Sequence, residues 1–193
     1  DYFRRDPSYY YRHSRDFLYN LDEKEPNVVH TALARLEEKG IIHAVITQNI
    51  DLLHQKAGSR KVLELHGSPR EHYCMKCGKT WDFETIAEKV RAGEIPSCDR
   101  CGGIVRPDIV LYEENLEHEN VDNAIKAVKK CDLMIIAGTS LTVYPAAGLY
   151  RFVGVDAPIY IIDPKDVPLK DKRVTHIKDV ATRGIQEFIS LLG

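Results

Sequence analysis

Short apolar segments that alternate with helical patterns predict an α/β fold in this chain. The two clearest strands are the apolar runs at 133–137 and 159–162, and each is followed directly by small or polar residues. Strands of this kind, separated by helices, are typical of a Rossmann-like parallel sheet with helices on both faces. Two Cys-x2-Cys pairs in the middle of the chain predict that a small zinc ribbon is inserted into that fold.

These observations predict two domains. We expect a Rossmann-like domain at residues 1–69 and 105–193, in which residues 1–25 form the helical part of a small lobe. The zinc-binding ribbon is expected at residues 70–104. At 193 residues, the chain has a length suited to one domain with a small insertion.

Periodicity and capping residues place the individual elements. Gly40 stands where a left-handed C-terminal cap would end the second helix, and Asp82 stands where it would cap the third. The expected helices span 7–20, 26–39, 82–92, 121–128 and 185–192, with a short helix beginning at Pro145. The expected strands span 42–47, 63–65, 104–111, 133–137 and 159–162.

Composition excludes several functional classes. The 27 Lys and Arg residues are balanced by 29 Asp and Glu residues, for a net charge of -2. This balance argues against a nucleic-acid binder that depends on phosphate neutralisation. No apolar run approaches the length of a membrane span. We therefore expect no direct nucleic-acid or membrane partner.

Four cysteines form the clearest candidate site. Cys74, Cys77, Cys98 and Cys101 form a Cys-x2-Cys-x20-Cys-x2-Cys pattern, which supplies two chelating pairs of thiolates for tetrahedral zinc. A site with four cysteine ligands has no open position, so its role should be structural. The alternatives are four unligated cysteines, or a nucleic-acid-binding ribbon that lacks the usual basic and aromatic surface. Thiolate ligands indicate a reducing compartment, the cytoplasm or the nucleus, and of these we expect the cytoplasm. The fifth cysteine, Cys131, is expected to be a small buried hydrophobic residue.

Polar side chains follow the strand that ends near Thr47. Gln48, Asn49 and Asp51 lie where open α/β sheets bind their ligands, and amide and carboxylate groups can bind ribose hydroxyls or a carboxamide. They could equally form a polar turn that bonds only to its own backbone. His66 is a candidate general base because histidine is the side chain most often used for proton transfer, although a single histidine often has only a structural role.

Gly138, Thr139 and Ser140 follow another predicted strand. Small residues let backbone N–H groups approach a phosphate, and the two hydroxyl groups can add hydrogen bonds. Taken alone this motif is weak, since the same three residues occur in many turns.

The order of all these motifs resembles the core of the sirtuin family of NAD-dependent protein lysine deacylases. The match covers nearly the whole chain and reads, in order, PN-x2-H from Pro26, TQNIDxLHxxAGS from Thr47, ELHG from Glu64, the two Cys-x2-Cys pairs, RPxIV from Arg106 and GTSLxVxPAA from Gly138.

The resemblance implies a role for each candidate residue. His66 would be the general base that deprotonates a ribose hydroxyl, and Gln48 and Asn49, also placed at the catalytic centre, would hold the nicotinamide ribose. Asp51 and the backbone of Ile50 would hold the carboxamide. Gly138, Thr139 and Ser140 would contact the phosphates and ribose, and Asp163 would bind the adenine ribose.

The implied function is removal of acetyl or related acyl groups from protein lysine side chains with consumption of NAD, giving nicotinamide and O-acyl-ADP-ribose. The acyl-lysine peptide would add as a strand at Val110, Leu111, Tyr112 and Glu113. Zinc would take no part in the reaction, and the protein is expected to be a monomer. Two alternatives remain: a non-catalytic acyl-lysine-binding or protein-binding module stabilised by zinc, and mono-ADP-ribosyl transfer on the same scaffold.

The chain departs from the family pattern in three places. The opening strand and the glycine-rich GAGxS loop are absent from the sequence, so we expect an N-terminal segment in the parent protein. Tyr112-Glu113-Glu114 stands where the family usually has Phe-Gly-Glu, which puts the acyl and peptide preference in question. Asp163 stands at a common Asn position, and its carboxylate can still accept hydrogen bonds from a ribose.

Overall fold

The computed structural model describes residues 2–192 and divides into two compact units. The first unit consists of residues 2–25, 49–52 and 66–116, and the second consists of residues 26–48, 53–65 and 117–192. The cysteine-rich segment thus groups with the N-terminal helices. Compactness does not establish which parts fold independently, so the boundaries expected at residues 70 and 104 stay a prediction.

Helices and strands alternate over much of the chain. The helices are α1 (Tyr2–Arg5), α2 (Pro7–Ser14), α3 (Val28–Glu38), α4 (Leu53–Lys56), α5 (Phe83–Arg91), α6 (His118–Lys130) and α7 (Ala181–Leu191). The strands are β1 (Val45–Thr47), β2 (Val62–Glu64), β3 (Gly67–Cys74), β4 (Thr80–Asp82), β5 (Val105–Ile109), β6 (Met134–Ala137), β7 (Ile159–Ile162) and β8 (Val174–Ile177). Two 3₁₀ helices lie at Leu18–Glu23 and Ala146–Phe152.

The second unit contains the predicted parallel strands. β6, β7 and β8 form a three-stranded parallel sheet with β7 in the centre, and β1 pairs in parallel with β2. Ile159, Ile161 and Ile162 of β7 are fully buried, as expected for a central strand covered on both faces. Helix α7 packs on β7 and β8, and α6 contacts β2. The predicted Rossmann-like α/β class is confirmed.

Helix α3 begins later than its sequence pattern predicts. Asn27 is the N-cap, and its side chain accepts from the N–H of Val29 at 2.9 Å while His30 completes a capping box. Pro26 therefore precedes the helix and does not form part of its first turn. Gly40 ends the helix in the left-handed conformation, with φ at 73°. The predicted C-terminal cap is confirmed.

Two parallel strands differ from their predictions. β1 begins at Val45 rather than residue 42, because the N–H of Ile42 bonds to Leu36 O at 3.2 Å and keeps that residue at the end of α3. β8 was not predicted. Its four residues include Thr175 and His176, so it lacks the continuous apolar run of β6 and β7.

The first unit contains an antiparallel sheet that the sequence pattern did not predict. Its strand order is β4-β3-β5, and β3 carries mainly polar residues, of which Arg70 and Glu71 are exposed. Pro107 in β5 lies opposite His72 beside a register shift in β3. A proline that cannot donate a ladder hydrogen bond is tolerated at such an irregularity.

The N-terminal helix is shorter than the expected span of 7–20. Helix α2 ends at Ser14, and a 3₁₀ helix follows at Leu18–Glu23. Leu18, Tyr19 and Leu21 are all buried. Three buried side chains among four consecutive residues do not lie on one face of a continuous α-helix, which is consistent with the break.

Helix α5 begins and ends as predicted. The Asp82 carboxylate accepts from the N–H of Thr85 at 2.8 Å, and Gly93 follows the helix with φ at 83°. Trp81 and Ile86, which flank the cap, belong to the same apolar cluster. Their positions match those of a hydrophobic staple.

Helix α6 ends at Lys130 and is capped by Cys131, which is only partly buried and not buried as expected. Its thiol bonds to Val128 O at 3.1 Å. Within residues 2–192, no helix is long and apolar enough to cross a membrane.

Candidate functional site

Four cysteines come together in the first unit. The ligand atoms of Cys74, Cys77, Cys98 and Cys101 all lie within 4.8 Å of one another. The Sγ atoms of Cys74 and Cys101 are 3.5 Å apart, and those of Cys77 and Cys98 are 3.6 Å apart. Tetrahedral zinc with Zn–S bonds of about 2.3 Å requires sulfur atoms separated by about 3.8 Å. The predicted zinc site therefore fits the arrangement of the thiols.

Two similar turns present these cysteines. Gly78 N donates to Cys74 O at 2.9 Å, and Gly102 N donates to Cys98 O at 2.8 Å. Both glycines have positive φ, at 69° and 65°, which glycine adopts without steric cost. Gly103 is needed for a different reason: a side chain would not fit there, since a Cβ would lie 2.8 Å from the Cys74 Sγ.

The candidate residues from Gln48 to Asp51 directly follow β1. The pairing of β2 with β1 extends one residue past Glu64, because Leu65 N donates to Thr47 O at 3.0 Å. Asn49 Nδ2 lies 3.4 Å from an Asp51 carboxylate oxygen. This contact joins two side chains within the loop and is local, like the polar turn considered as the alternative.

His66 is held by its backbone at the start of β3. Its carbonyl accepts from Val110 N at 2.9 Å, and the next residue, Gly67, pairs with Ile109 of β5. The His66 Nδ1 atom is buried and has no hydrogen-bond partner within the described part of the chain. A buried polar atom of this kind is uncommon and is found at ligand-binding and catalytic positions. The orphaned nitrogen makes His66 a candidate for a ligand or catalytic contact.

Gly67, the residue after His66, lets β3 approach β5 closely. Its φ is 73°, and a Cβ there would lie 2.3 Å from Asp108 O. The close approach of β3 to β5 next to His66 therefore requires glycine.

The predicted phosphate-binding residues lie at the carboxyl end of β6. Gly138 has φ at 65°, and its N–H donates to Ile162 O at 3.2 Å. The Thr139 hydroxyl accepts from Leu141 N at 3.2 Å, and the Ser140 hydroxyl lies 2.7 Å from that of Thr142. Nothing lies within 4 Å of where a Gly138 Cβ would be, so the backbone there is open to a ligand.

Asp163 lies at the same sheet edge as Gly138. Ala137 and Ile162 are paired in register, so Gly138 and Asp163 are the first residues past two neighbouring parallel strands. This edge is where open α/β sheets bind nucleotides. The Asp163 carboxylate accepts from Lys165 N at 2.8 Å, and its carbonyl oxygen lies 2.9 Å from His176 Nε2. The carboxylate and the open glycine backbone fit the ribose and phosphate groups of a dinucleotide.

The candidate peptide-binding residues follow β5 and end in a turn. Glu114 N donates to Leu111 O at 3.0 Å, and the Tyr112 side chain between them is fully exposed. Arg106 and Glu114, which sequence reasoning did not identify as a pair, form a two-pronged ion pair across this segment with N–O distances of 2.7 Å and 2.9 Å. No periodic signal links residues eight positions apart on either side of a turn.

Strained backbone occurs beside three of the groups of candidate ligand residues. Leu52, Glu113 and Leu141 are the non-glycine residues with positive φ among those described, at 61°, 71° and 54°. They follow Asp51, lie within the candidate peptide segment and follow Ser140, respectively. Such conformations cost on the order of 1–3 kcal/mol and are concentrated at functional sites.

The model of the Sir2 family matches residues 1–145. This match covers most of the chain. The chain belongs to the Sir2 family. The sirtuin is 48% identical over 151 residues to the NAD-dependent protein deacetylase of Clostridium acetobutylicum, a match that covers 75% of this chain and 61% of that protein. It therefore spans about three fifths of the length of this curated relative.

Solved structures agree with the family assignment. One, described as Sir2Tm bound to a propionylated peptide, matches with a TM-score of 0.90 and 37% identity over 100% of this sirtuin and 82% of that chain. Another, described as Sir2 with a p53 peptide and NAD+, matches with a TM-score of 0.89 and 37% identity over 100% of this sirtuin and 81% of that chain.

Proposed function

We propose that this sirtuin removes acetyl or related acyl groups from protein lysine side chains in an NAD-dependent reaction, giving nicotinamide and O-acyl-ADP-ribose. The observation that carries the proposal is His66, whose buried Nδ1 has no partner within the described residues and which directly precedes β3. The names of the related proteins support the reaction type, since the Clostridium acetobutylicum relative is an NAD-dependent protein deacetylase.

NAD, when bound, supplies a glycosidic bond whose cleavage releases nicotinamide. The nicotinamide ribose is assigned to Gln48 and Asn49, and the carboxamide to Asp51 and the backbone of Ile50. Gly138, Thr139 and Ser140 hold the phosphates and ribose, and Asp163 holds the adenine ribose. Support for the last two assignments comes from the shared sheet edge, where Gly138 and Asp163 follow paired strands.

His66 acts as the general base that accepts a proton from a ribose hydroxyl. A histidine suits this task because its ordinary pKa lies near neutral pH. The four cysteines hold structural zinc, which has no open coordination position and takes no part in the reaction.

The peptide substrate is assigned to Val110, Leu111, Tyr112 and Glu113. Extended peptides commonly add to the edge of a strand through main-chain hydrogen bonds, and this segment directly follows β5. One solved relative supports a peptide substrate, since that protein was bound to a propionylated peptide. We also propose that the protein is cytoplasmic, because thiolate zinc ligands need a reducing compartment. The expectation of a monomer stays a prediction.

Nicotinamide release tests the proposed function. We expect the complete protein to release nicotinamide from NAD only when an acetyl-lysine peptide is present, and His66→Ala to lower the rate at least about 100-fold, because general-base catalysis contributes roughly 10²–10⁴-fold. The exposed His118→Ala variant is the matched control and should keep the wild-type rate.

Three results would change the assignment. Equal turnover in His66→Ala with an unchanged melting temperature would remove the catalytic role of His66. Peptide binding without any nicotinamide release would favour the non-catalytic module. Transfer of label from the ADP-ribose part of NAD onto protein would favour ADP-ribosyl transfer.

A further inference from the structure

The segment between β5 and the candidate peptide residues is organised around one guanidinium. The Arg106 side chain is only 8% exposed, and its guanidinium carbon lies 5.8 Å and 5.7 Å from the ring centroids of Phe3 and Tyr73. Its Nη2 donates to Ile109 O at 2.6 Å and to one Glu114 oxygen at 2.9 Å, and Nη1 donates to the other Glu114 oxygen at 2.7 Å. A single fixed cation thus joins the end of β5 to the far side of the turn.

Glu114 joins the two halves of the segment in the same way. Besides accepting from Arg106, its carboxylate accepts from Leu111 N at 2.9 Å. Arg106 lowers the pKa of Glu114 to about 2, so the carboxylate is ionised at all working pH values. Arg106 thus contacts the chain on both sides of Val110–Glu113, at the Ile109 carbonyl before the segment and at the Glu114 carboxylate after it.

The turn needs such support because Glu113 adopts a disfavoured conformation. Its φ of 71° lies in the left-handed region, which glycine occupies readily and other residues rarely occupy. Tyr112 beside it is fully exposed, so packing of that side chain does not hold the turn. Conformations of this kind persist only where the surrounding structure fixes them.

We propose that Arg106 and Glu114 are positioning residues that hold Val110–Glu113 in the shape that binds the acyl-lysine peptide. The inference rests on the proposed function. It predicts that the ion pair affects recognition of the peptide and leaves the NAD-dependent steps unchanged.

The test compares steady-state kinetics of the zinc-loaded protein and its Glu114→Gln variant. Glutamine keeps the size of the side chain but loses the charge and one acceptor of the fork. We expect KM for an acetyl-lysine peptide to rise roughly tenfold, with kcat and KM for NAD within about twofold. Asp179→Asn is the matched control, because it removes the carboxylate that forms a similar two-pronged ion pair with Arg183 of α7. It should change none of these constants.

A rescue variant separates positioning from general stability. Glu113→Gly in the Glu114→Gln background should recover most of the lost peptide affinity, because glycine adopts the left-handed conformation without support. An unchanged peptide KM in Glu114→Gln would overturn the proposal. So would equal losses in kcat and in the NAD constants, or a failure of glycine to restore affinity.

The dissociation constant of a fluorescein-labelled acetyl-lysine peptide is measured in parallel. Wild-type protein that binds the peptide but releases no nicotinamide would count against the proposed reaction, while the ratio of dissociation constants for wild type and Glu114→Gln would still decide this inference. Failure of the wild-type protein to bind the peptide would overturn it.

Discussion

A single buried histidine shows how one residue makes the stability of the first unit depend on pH. His72 in β3 is fully buried, and its Nε2 lies 2.8 Å from the Tyr19 hydroxyl. Burial lowers the pKa of His72 from 6.5 to about 4, because an imidazolium loses its hydration there. The folded protein therefore keeps His72 neutral at pH values where the unfolded chain binds a proton.

The free energy of unfolding should fall by about 2 kcal/mol between pH 7 and pH 5 through His72 alone. The sign follows from the lowered pKa: the stabilisation is present above about pH 6.5 and is lost as the pH falls towards 4. Urea denaturation of wild type and His72→Gln at pH 7, 6 and 5 measures this dependence. The zinc thiolates also take up protons in acid, but they are common to both proteins. Parallel pH dependences in the two proteins would refute the assignment.

At the scale of elements, the sequence predicted structures whose local signals are strong. β6 and β7 are continuous apolar runs, and helix α5 has a capping aspartate, a periodic apolar face and a terminal glycine. The antiparallel strand β3 escaped prediction because its sequence, GSPREHYC, has neither an apolar run nor regular alternation. Its conformation is set by pairing with β4, which follows after a short turn, and with β5, which lies about thirty residues further along the chain and leaves no local pattern.

The same limit applies within the candidate site. Cysteine spacing predicts the metal cluster because two short chelating turns supply all four ligands. The Arg106–Glu114 pair depends on a turn with a left-handed Glu113, a conformation that glutamate does not favour. Sequence reasoning could therefore mark position 113 as unusual without finding what supports it.

The close approach of β3 and β5 gives a test at this scale. Gly67→Ala should destabilise the protein by about 2–4 kcal/mol, because the new Cβ would lie 2.3 Å from Asp108 O in addition to the strain of a φ of 73°. Gly40→Ala is the matched control, since Gly40 has the same φ of 73° and no atom within 4 Å of the new Cβ. It should cost only about 1 kcal/mol.

Chemical denaturation of both glycine variants measures the difference. Equal losses would mean that backbone conformation alone explains the requirement for Gly67 and that β3 can move away from β5. A larger loss of stability in Gly67→Ala, together with reduced turnover, would show that the close contact between β3 and β5 beside His66 requires glycine.

At the scale of the whole molecule, the two compact units depend on different sources of stability. The second unit has a parallel sheet with fully buried isoleucines in β7. In the first unit, the end of β3 and the segment around Cys98 and Cys101 are joined at the cysteine cluster. Cysteines 74 and 98 are themselves part of the apolar core of that unit. Loss of the metal should therefore disturb the first unit before the second.

Removal of zinc tests this difference with a reporter that the chain already contains. Trp81 is the single tryptophan, and it lies in β4, partly buried against the core of the first unit. We expect one zinc per chain, and its removal by a chelator should shift Trp81 emission to longer wavelength while α3, α6 and α7 of the second unit preserve most of the helical circular dichroism. Structural zinc binds with roughly 10–16 kcal/mol, so the ribbon should not persist without it.

Cys74→Ser should reproduce the chelated state, whereas Cys131→Ser should keep one zinc and native emission, because Cys131 lies outside the cluster. Unchanged emission after complete zinc removal would show that the apolar core alone holds the first unit together.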